Sequence, residues 1–229
     1  MSGGPDILAE LDAALRSYGI FVRGTACFTE NEEAPTLIDG GRAQSVVLLG
    51  NIGGSIWAPF KRWRQLPENS GTPHPLDTWS KAIIRPLAEA LGASAYFPSD
   101  PPWQPFQQWA MKAEGLQASP LGILIHPEYG LWHGYRGALG FGFPITGMSA
   151  IAAGDHPCDH CPEKPCLSAC PVDAVTLASF AVASCRSHLA SPQGRTGCMQ
   201  TGCLARDACP VGASHRYGKE QLLFHMEAL

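Results

Sequence analysis

Eight of the nine cysteines in this 229-residue chain lie between residues 158 and 209, and this concentration constrains the fold more than any other feature. The ninth, Cys27, stands alone near the start. The N-terminal residues 1–6 contain neither a basic region nor an apolar core, so no signal peptide is evident and we expect a cytoplasmic protein. Clustered thiols in that compartment are more often metal ligands or catalytic groups than disulfide partners.

The clustered cysteines form two blocks, each of which ends in Cys-Pro. The first block reads Cys158-x2-Cys161-x4-Cys166-x3-Cys170-Pro171, and the second reads Cys185 followed by Cys198-x4-Cys203-x5-Cys209-Pro210. A [4Fe–4S] cluster needs four thiolates at the corners of a tetrahedron, and short turns between cysteines supply neighbouring corners. The run Cys170-Pro-Val-Asp-Ala-Val175 resembles the consensus of bacterial ferredoxins. In two-cluster ferredoxins the cysteine before proline ligates the other cluster.

This resemblance implies two [4Fe–4S] clusters with crossed ligands. The first cluster would be held by Cys158, Cys161, Cys166 and Cys209, and the second by Cys170, Cys185, Cys198 and Cys203. Two zinc sites of four cysteines each would use the same residue types, and disulfides are a third interpretation. Because zinc does not require Cys-Pro at the end of each block, the sequence favours clusters.

Upstream of the cysteines, helical and strand-like patterns alternate. Apolar periodicity predicts helices over 5–18, 76–91 and 104–114, and continuous or alternating apolar runs predict strands over 21–28, 45–49, 93–98, 121–126 and 131–143. After residue 154 the sequence changes to cysteine, proline and short loops. We therefore predict an α+β protein with an α/β layer domain over 1–153 and a small cysteine-rich domain over 154–229.

Composition excludes several functional classes. Hydrophobic residues make up 45% of the chain, which is enough for a packed core. The net charge is -4 and there is no basic tract, so we do not expect a nucleic-acid-binding protein. No apolar run is long enough to cross a membrane.

One stretch of the upstream domain resembles a known family. Gly122-Ile-Leu-Ile-His-Pro-Glu-Tyr-Gly-Leu-Trp132, followed by Tyr135-Arg-Gly137, is similar to the cobalamin-processing proteins of the CblC type. Such a domain followed by two [4Fe–4S] motifs resembles epoxyqueuosine reductase and, more distantly, the reductive dehalogenases. These resemblances imply a nitroreductase-related first domain, a ferredoxin-like second domain and a bound cobalamin.

The same resemblances suggest site residues. Asp100 precedes Lys112 of Ala110-Met-Lys-Ala-Glu-Gly-Leu116 by 12 residues, a spacing similar to that of the proton donor in epoxyqueuosine reductase. Asp100 is therefore a candidate catalytic proton donor, and Tyr135 is a second, because a tyrosine hydroxyl could protonate a reduced substrate. His126, Trp132 and Arg136 are the candidate cofactor-binding residues, since a guanidinium can anchor an anionic group of a corrinoid.

Together these features predict an iron–sulfur oxidoreductase. Electrons would pass singly from an external low-potential donor, a ferredoxin or a flavodoxin, through two clusters to a bound cobalamin. The reaction would be reductive processing of cobalamin itself or reduction of a small substrate. The alternatives are a ferredoxin-like electron-transfer protein without corrinoid, a corrinoid carrier without turnover, and a flavin-dependent reductase.

Overall fold

The computed structural model describes residues 4–146 and 156–228 and shows an α+β fold with an antiparallel sheet. The strands are β1 (Phe21–Cys27), β2 (Ser45–Ile52), β3 (Ser94–Tyr96), β4 (Gln117–Ala118), β5 (Leu124–Ile125) and β6 (His133–Phe141). The helices are α1 (Gly4–Leu15), α2 (Trp57–Arg64), α3 (Pro75–Leu91), α4 (Phe106–Glu114), α5 (Pro165–Ser168), α6 (Val182–Ala190), α7 (Pro192–Thr196), α8 (Cys198–Thr201), α9 (Leu204–Asp207) and α10 (Lys219–Glu227). None of the helices among the described residues has the length and apolar character needed to span a membrane.

The chain divides into two compact units, and the first is built on a four-stranded sheet. Its described parts are 4–115 and 134–146. The strand order is β1-β2-β6-β3, with β1 antiparallel to β2 and β3 antiparallel to β6. Residues 45–51 of β2 are all buried, as expected for the continuous apolar run that predicted this strand.

The long helix α3 shows how sequence signals set the ends of an element in this unit. Pro75 occupies the first turn, where its missing N–H costs nothing, and Gly92 ends the helix in a left-handed conformation with φ 62°. The buried side chains of Trp79 and Ile84 lie on the inner face. Trp79 meets the ring of Phe60 from α2 at a centroid distance of 5.7 Å, so the two helices contribute to one core.

The second unit contains the eight clustered cysteines together with an upstream segment that the sequence assigned to the first domain. Its described parts are 116–133 and 156–228. Leu121, Ile125 and Leu131 pack with Cys166 and Cys209 in one apolar cluster. The structure groups residues 116–133 with the cysteine-rich segment, because their apolar side chains share a core cluster with Cys166, Val175 and Cys209, and the predicted domain bounds stay a prediction. The predicted boundary between residues 153 and 154 lies outside the described residues.

Two loops of the second unit touch through their backbones. The turn formed by residues 126–130 closes with paired backbone hydrogen bonds of 2.9 Å between His126 and Gly130. A Cβ on Gly130 would lie 1.9 Å from the carbonyl oxygen of Val211, and a Cβ on Gly212 would lie 2.2 Å from the carbonyl carbon of Tyr129. The turn is thus seated directly on the chain that follows Cys209-Pro210.

This close approach predicts a large loss of stability for Gly130→Ala. Gly130 has φ +57°, and alanine in the left-handed region costs about 1–2 kcal/mol. The collision with Val211 should add about 1–3 kcal/mol, as overpacking does elsewhere. Urea unfolding measures both effects when compared with Gly122→Ala, because Gly122 has φ +74° with nothing within 4 Å of its Cβ position. Equal losses for the two variants would contradict the contact.

Candidate functional site

The electrostatic interactions among the clustered thiols of the second unit divide them into two sets of four. The first quartet consists of Cys158, Cys161, Cys166 and Cys209, and the second quartet consists of Cys170, Cys185, Cys198 and Cys203. Cys158 lies near enough to the other three thiols of the first quartet for their charges to raise its pKa. In the second quartet, the charges of Cys170, Cys198 and Cys203 raise the pKa of Cys185 in the same way. These are the sets named by the crossed spacing, and their role as metal ligands stays a prediction.

The second quartet surrounds a cavity. All four of its thiols line a space of about 250 Å³, whose remaining walls are largely apolar and include Leu121, Val175 and Phe180. A single water needs about 10–15 Å³ of such space, so the cavity has room for a polyatomic group. Four soft sulfur donors around an apolar cavity suit soft metal centres and iron–sulfur clusters.

Beside the first quartet lies a second cavity, which has a different character. It measures about 500 Å³ and is lined by Cys161 and by a series of prolines, among them Pro127 and Pro210. The ammonium group of Lys164 donates hydrogen bonds to the carbonyl oxygens of Cys158 and Cys161, the second at 3.3 Å. Lys164 therefore fixes the backbone of the loop and adds a positive charge next to the thiols.

Backbone N–H groups donate hydrogen bonds to thiols of both quartets. The N–H of Ala174 reaches Sγ of Cys170 at 3.3 Å. Further donors are the N–H groups of Leu167 to Cys166, of Ala205 and Arg206 to Cys203, and of Val211 to Cys209. Such bonds stabilise the thiolate form, which is the form that binds metal, and they tune the potential of a bound iron–sulfur cluster.

Burial has the opposite effect on the thiol pKa, because it disfavours the charged thiolate. It is the main cause that raises the pKa of the Cys158 thiol to about 11, with the charge of Cys209 as the next cause. Burial also raises the pKa of Cys166, Cys185, Cys203 and Cys209. Four thiolates in one quartet thus need a positive centre among them, since metal binding requires the deprotonated form.

The structure contains neither disulfides nor a preformed single-ion site among the described residues. All nine cysteines, each of which lies in the described ranges, are free thiols. Over 4–146 and 156–228, no three His, Cys, Asp or Glu side chains converge in the geometry of a single metal-ion site. Cys27 lies at the end of β1, and its side chain is exposed rather than buried as a small apolar residue would be.

An arginine that the sequence analysis missed joins the two quartets to the upstream segment. Arg206 donates from Nε and Nη2 to the carbonyl oxygen of Leu131, at 3.2 and 2.5 Å. Its guanidinium lies 4.3 Å from the ring centroid of Trp132 and 4.8 Å from that of Tyr217. The carbonyl oxygen of Arg206 also accepts the N–H of Cys209 at 3.3 Å. No local motif marks Arg206, because its partners come from distant parts of the sequence.

Two of the predicted cofactor-binding residues lie in this second unit and are buried. Nδ1 of His126 accepts the N–H groups of Glu128 and Tyr129 at 3.0 and 3.2 Å, so its proton resides on Nε2. The ring of His126 stacks on that of Tyr129 with centroids 4.0 Å apart. Trp132 is only 1% exposed and packs against Arg206. His126 stabilises the turn that follows it and Trp132 packs in the core of this unit, and their role in binding a cofactor stays a prediction.

The predicted proton donor Tyr135 lies in the first unit, next to a buried ion pair. Its hydroxyl donates to Oε1 of Glu114 at 2.5 Å, while Oε2 of Glu114 accepts from Arg23 at 2.7 Å. Burial, followed by the Glu114 carboxylate, raises the pKa of Tyr135 far above its usual range. Burial also raises the pKa of Glu114, and Arg23 opposes that rise. In the sequence, a charged residue within an apolar strand, Arg23, could have indicated that a buried ionic partner exists.

Asp100 and Arg136 are the remaining predicted site residues, and both are in the first unit. Asp100 pairs with Lys81 and, at 3.4 Å, with Arg85, and it borders a cavity of about 380 Å³. Arg136 is half-buried on β6. Asp100 and Tyr135 have different ionic partners, and the described contacts do not join them in one constellation. Their catalytic roles stay predictions.

Comparison with solved structures finds proteins of similar fold. The fold is similar to the crystal structure of a C. elegans B12-trafficking protein, CblC, described as a homologue of human MMACHC. The TM-score is 0.51 at 14% sequence identity, covering 97% of this chain and 91% of that chain. The likeness is one of fold. No protein-family model matches the sequence, and no curated protein matches it.

The Arg23–Glu114 pair predicts a pH-dependent loss of stability for Arg23→Met. A carboxyl whose folded pKa is raised contributes stability at low pH that is lost as the pH rises through the folded pKa. Removing Arg23 raises the pKa of Glu114 further, so the free energy of unfolding of the variant should fall increasingly below that of the parent as the pH rises above the ordinary carboxyl pKa. At neutral pH we expect a loss of about 3–5 kcal/mol, the usual cost of breaking a buried ion pair.

Urea unfolding across this pH range measures the effect. Arg16→Met is the matched control, because the Arg16–Asp12 pair is exposed and should contribute less than about 1 kcal/mol. A deficit of Arg23→Met that does not change with pH would show that Arg23 acts through packing alone.

Proposed function

We propose that this protein is an iron–sulfur reductase that passes electrons through two [4Fe–4S] clusters to a bound cobalamin. One observation carries the proposal. The charges of Cys161, Cys166 and Cys209 act on the Cys158 thiol and those of Cys170, Cys198 and Cys203 act on the Cys185 thiol, and this grouping supports the crossed ligands of two-cluster ferredoxins.

The chemistry of the second quartet supports a cluster at this position. Four free thiols line an apolar cavity large enough for a polyatomic group, and N–H groups donate to the sulfurs of Cys170 and Cys203. A low-dielectric surrounding and hydrogen bonds to sulfur are the features by which proteins set cluster potentials. For the first quartet, N–H groups reach Cys166 and Cys209, and Lys164 adds a nearby positive charge.

The corrinoid part of the proposal depends on two further facts. The sequence 122–137 resembles the CblC type, and the fold is similar to that of a B12-trafficking protein. When bound, the clusters supply single electrons and the corrinoid supplies a reducible cobalt. Arg136 would bind an anionic group of the corrinoid, and Tyr135, hydrogen-bonded to Glu114, would hold a proton at its hydroxyl.

A ferredoxin-like electron-transfer protein without corrinoid is the second candidate. One observation favours it: His126 and Trp132 are buried among side chains of the second unit, where they stack on Tyr129 and Arg206. In this interpretation the resemblance over 122–137 reflects packing rather than cofactor binding. The two candidates differ only in whether cobalamin binds, so one titration separates them.

The crossed wiring predicts which double variants keep a cluster. Anaerobically purified protein should contain about eight iron and eight sulfide per chain, four of each per cluster. Cys158→Ser combined with Cys209→Ser removes two ligands of one quartet and should leave about half of the iron. Cys158→Ser combined with Cys170→Ser weakens both quartets and should remove nearly all of it. Iron and sulfide analysis, with electron paramagnetic resonance of the reduced protein, measures the outcome.

Cys27→Ser is the control and should leave the iron content unchanged, because Cys27 lies in the other unit. Uncrossed wiring predicts the reverse order for the two double variants. Zinc in place of iron, without sulfide, would establish the two-zinc interpretation and end the cluster proposal.

The corrinoid proposal predicts a saturable spectral change when cobalamin is added anaerobically to the cluster-loaded protein. Arg136→Gln should weaken binding about tenfold, which corresponds to about 1.4 kcal/mol. Arg62→Gln, which alters an exposed arginine of α2, should leave the affinity unchanged. Iron-loaded protein that shows no spectral change and no binding would favour the electron-transfer protein instead.

A further inference from the structure

Exposed apolar side chains surround the second quartet. Val172, Val182 and Leu204 line the cavity that holds the quartet and are nevertheless exposed, Val182 by 49%. Ile123 lies on the same cavity wall and is also exposed. Leu177 is 71% exposed at the tip of a turn whose ends, Val175 and Phe180, line the cavity. We call Ile123, Val172, Leu177, Val182 and Leu204 the apolar rim.

One stretch of the chain beside this rim carries only positive charge, and Asp173 and Asp207 flank it. Residues 174–206 supply three of the four cysteines of the second quartet and contain three arginines, Arg186, Arg195 and Arg206, but no aspartate, glutamate or lysine. The whole chain has a net charge of -4, whereas the net charge of this stretch is positive. Arg186 lines the same cavity as the four thiols of the second quartet.

We propose that the apolar rim is the docking surface for the electron donor, and that this donor is a small electron-transfer protein with an acidic surface. The inference rests on the proposed function and extends it by naming the entry point and the charge of the partner. On docking, the reduced partner loses one electron and is oxidised, and the chain gains that electron at the second quartet.

Two physical arguments select this occupant. Contiguous exposed apolar patches of soluble proteins mark interaction sites, and redox encounters use small ones, below about 1,200 Å² in total. The arginines provide the complementary charge, since opposite potentials steer association and raise its rate. Because the rim borders thiols of the quartet, a partner bound there would bring its own cofactor near the electron acceptor.

The test compares opposite charges placed at one rim position. Val182→Glu and Val182→Lys remove the same apolar side chain but alter the local charge in opposite directions. The probe is an acidic flavodoxin in its fully reduced form, and stopped-flow absorbance follows its one-electron oxidation by the cluster-loaded protein. We expect Val182→Glu to lower the second-order rate constant about tenfold at low salt, and Val182→Lys to maintain or raise it. The difference should shrink as salt screens the charges.

Leu66→Glu and Leu66→Lys are the matched controls, because Leu66 is exposed to a similar extent, 45%, in the other unit. Iron content and reduction by dithionite should be unchanged in all four variants. Equal rates for Val182→Glu and Val182→Lys, or a wild-type dimer that Val182→Glu dissociates in sedimentation, would overturn the docking proposal while leaving the clusters intact. Wild-type protein without iron would instead end the proposed function, and the docking surface with it.

Discussion

The cost of ionising partly buried thiols that lie near one another is the constraint on which the second unit depends. Each quartet brings four potential negative charges together, and burial raises the pKa of several of them, including Cys158 and Cys185. The structure meets this with N–H donors aimed at sulfur, with the cations Lys164 and Arg216, and with free thiols rather than disulfides. These features lower the cost of thiolates, and a metal centre would remove most of the remainder.

A second requirement follows from the first, since cysteine-rich loops contain too few large apolar side chains to build a core. The segment 116–133 provides them, with Leu121, Ile125 and Leu131 packed against thiols of the first quartet. Gly130 and Gly212 allow the two backbones to touch, and Arg206 ties Leu131 to the stretch between Cys203 and Cys209. The segment that resembles the CblC type is thus divided, with His126 and Trp132 in one unit and Tyr135 and Arg136 in the other.

The sequence predicts elements whose cause is local. The buried run of β2, the proline at the start of α3 and Gly92 at its end each act over a few residues, and their positions agree with the structure. The two sets of cysteine ligands stay a prediction, which rests on cysteine spacing and on the Cys-Pro pairs of a known kind of site. Interactions between distant residues could not be read in this way. Arg23 within an apolar strand suggests a buried partner, but nothing local identifies that partner as Glu114, and the packing of 116–133 on the cysteine loops has no local signal.

The two units handle buried charge by opposite means, and this explains the uneven charge of the chain. In the first unit Glu114 is balanced one to one by Arg23, with Tyr135 satisfying the second oxygen. In the second unit no single side chain can balance a quartet of thiolates. Residues 174–206 contain three arginines and no acidic residue, and two of these arginines, Arg186 and Arg206, line the cavity of the second quartet. A cluster held by four thiolates keeps a net negative charge, so the same arginines that stabilise it would also attract an acidic partner.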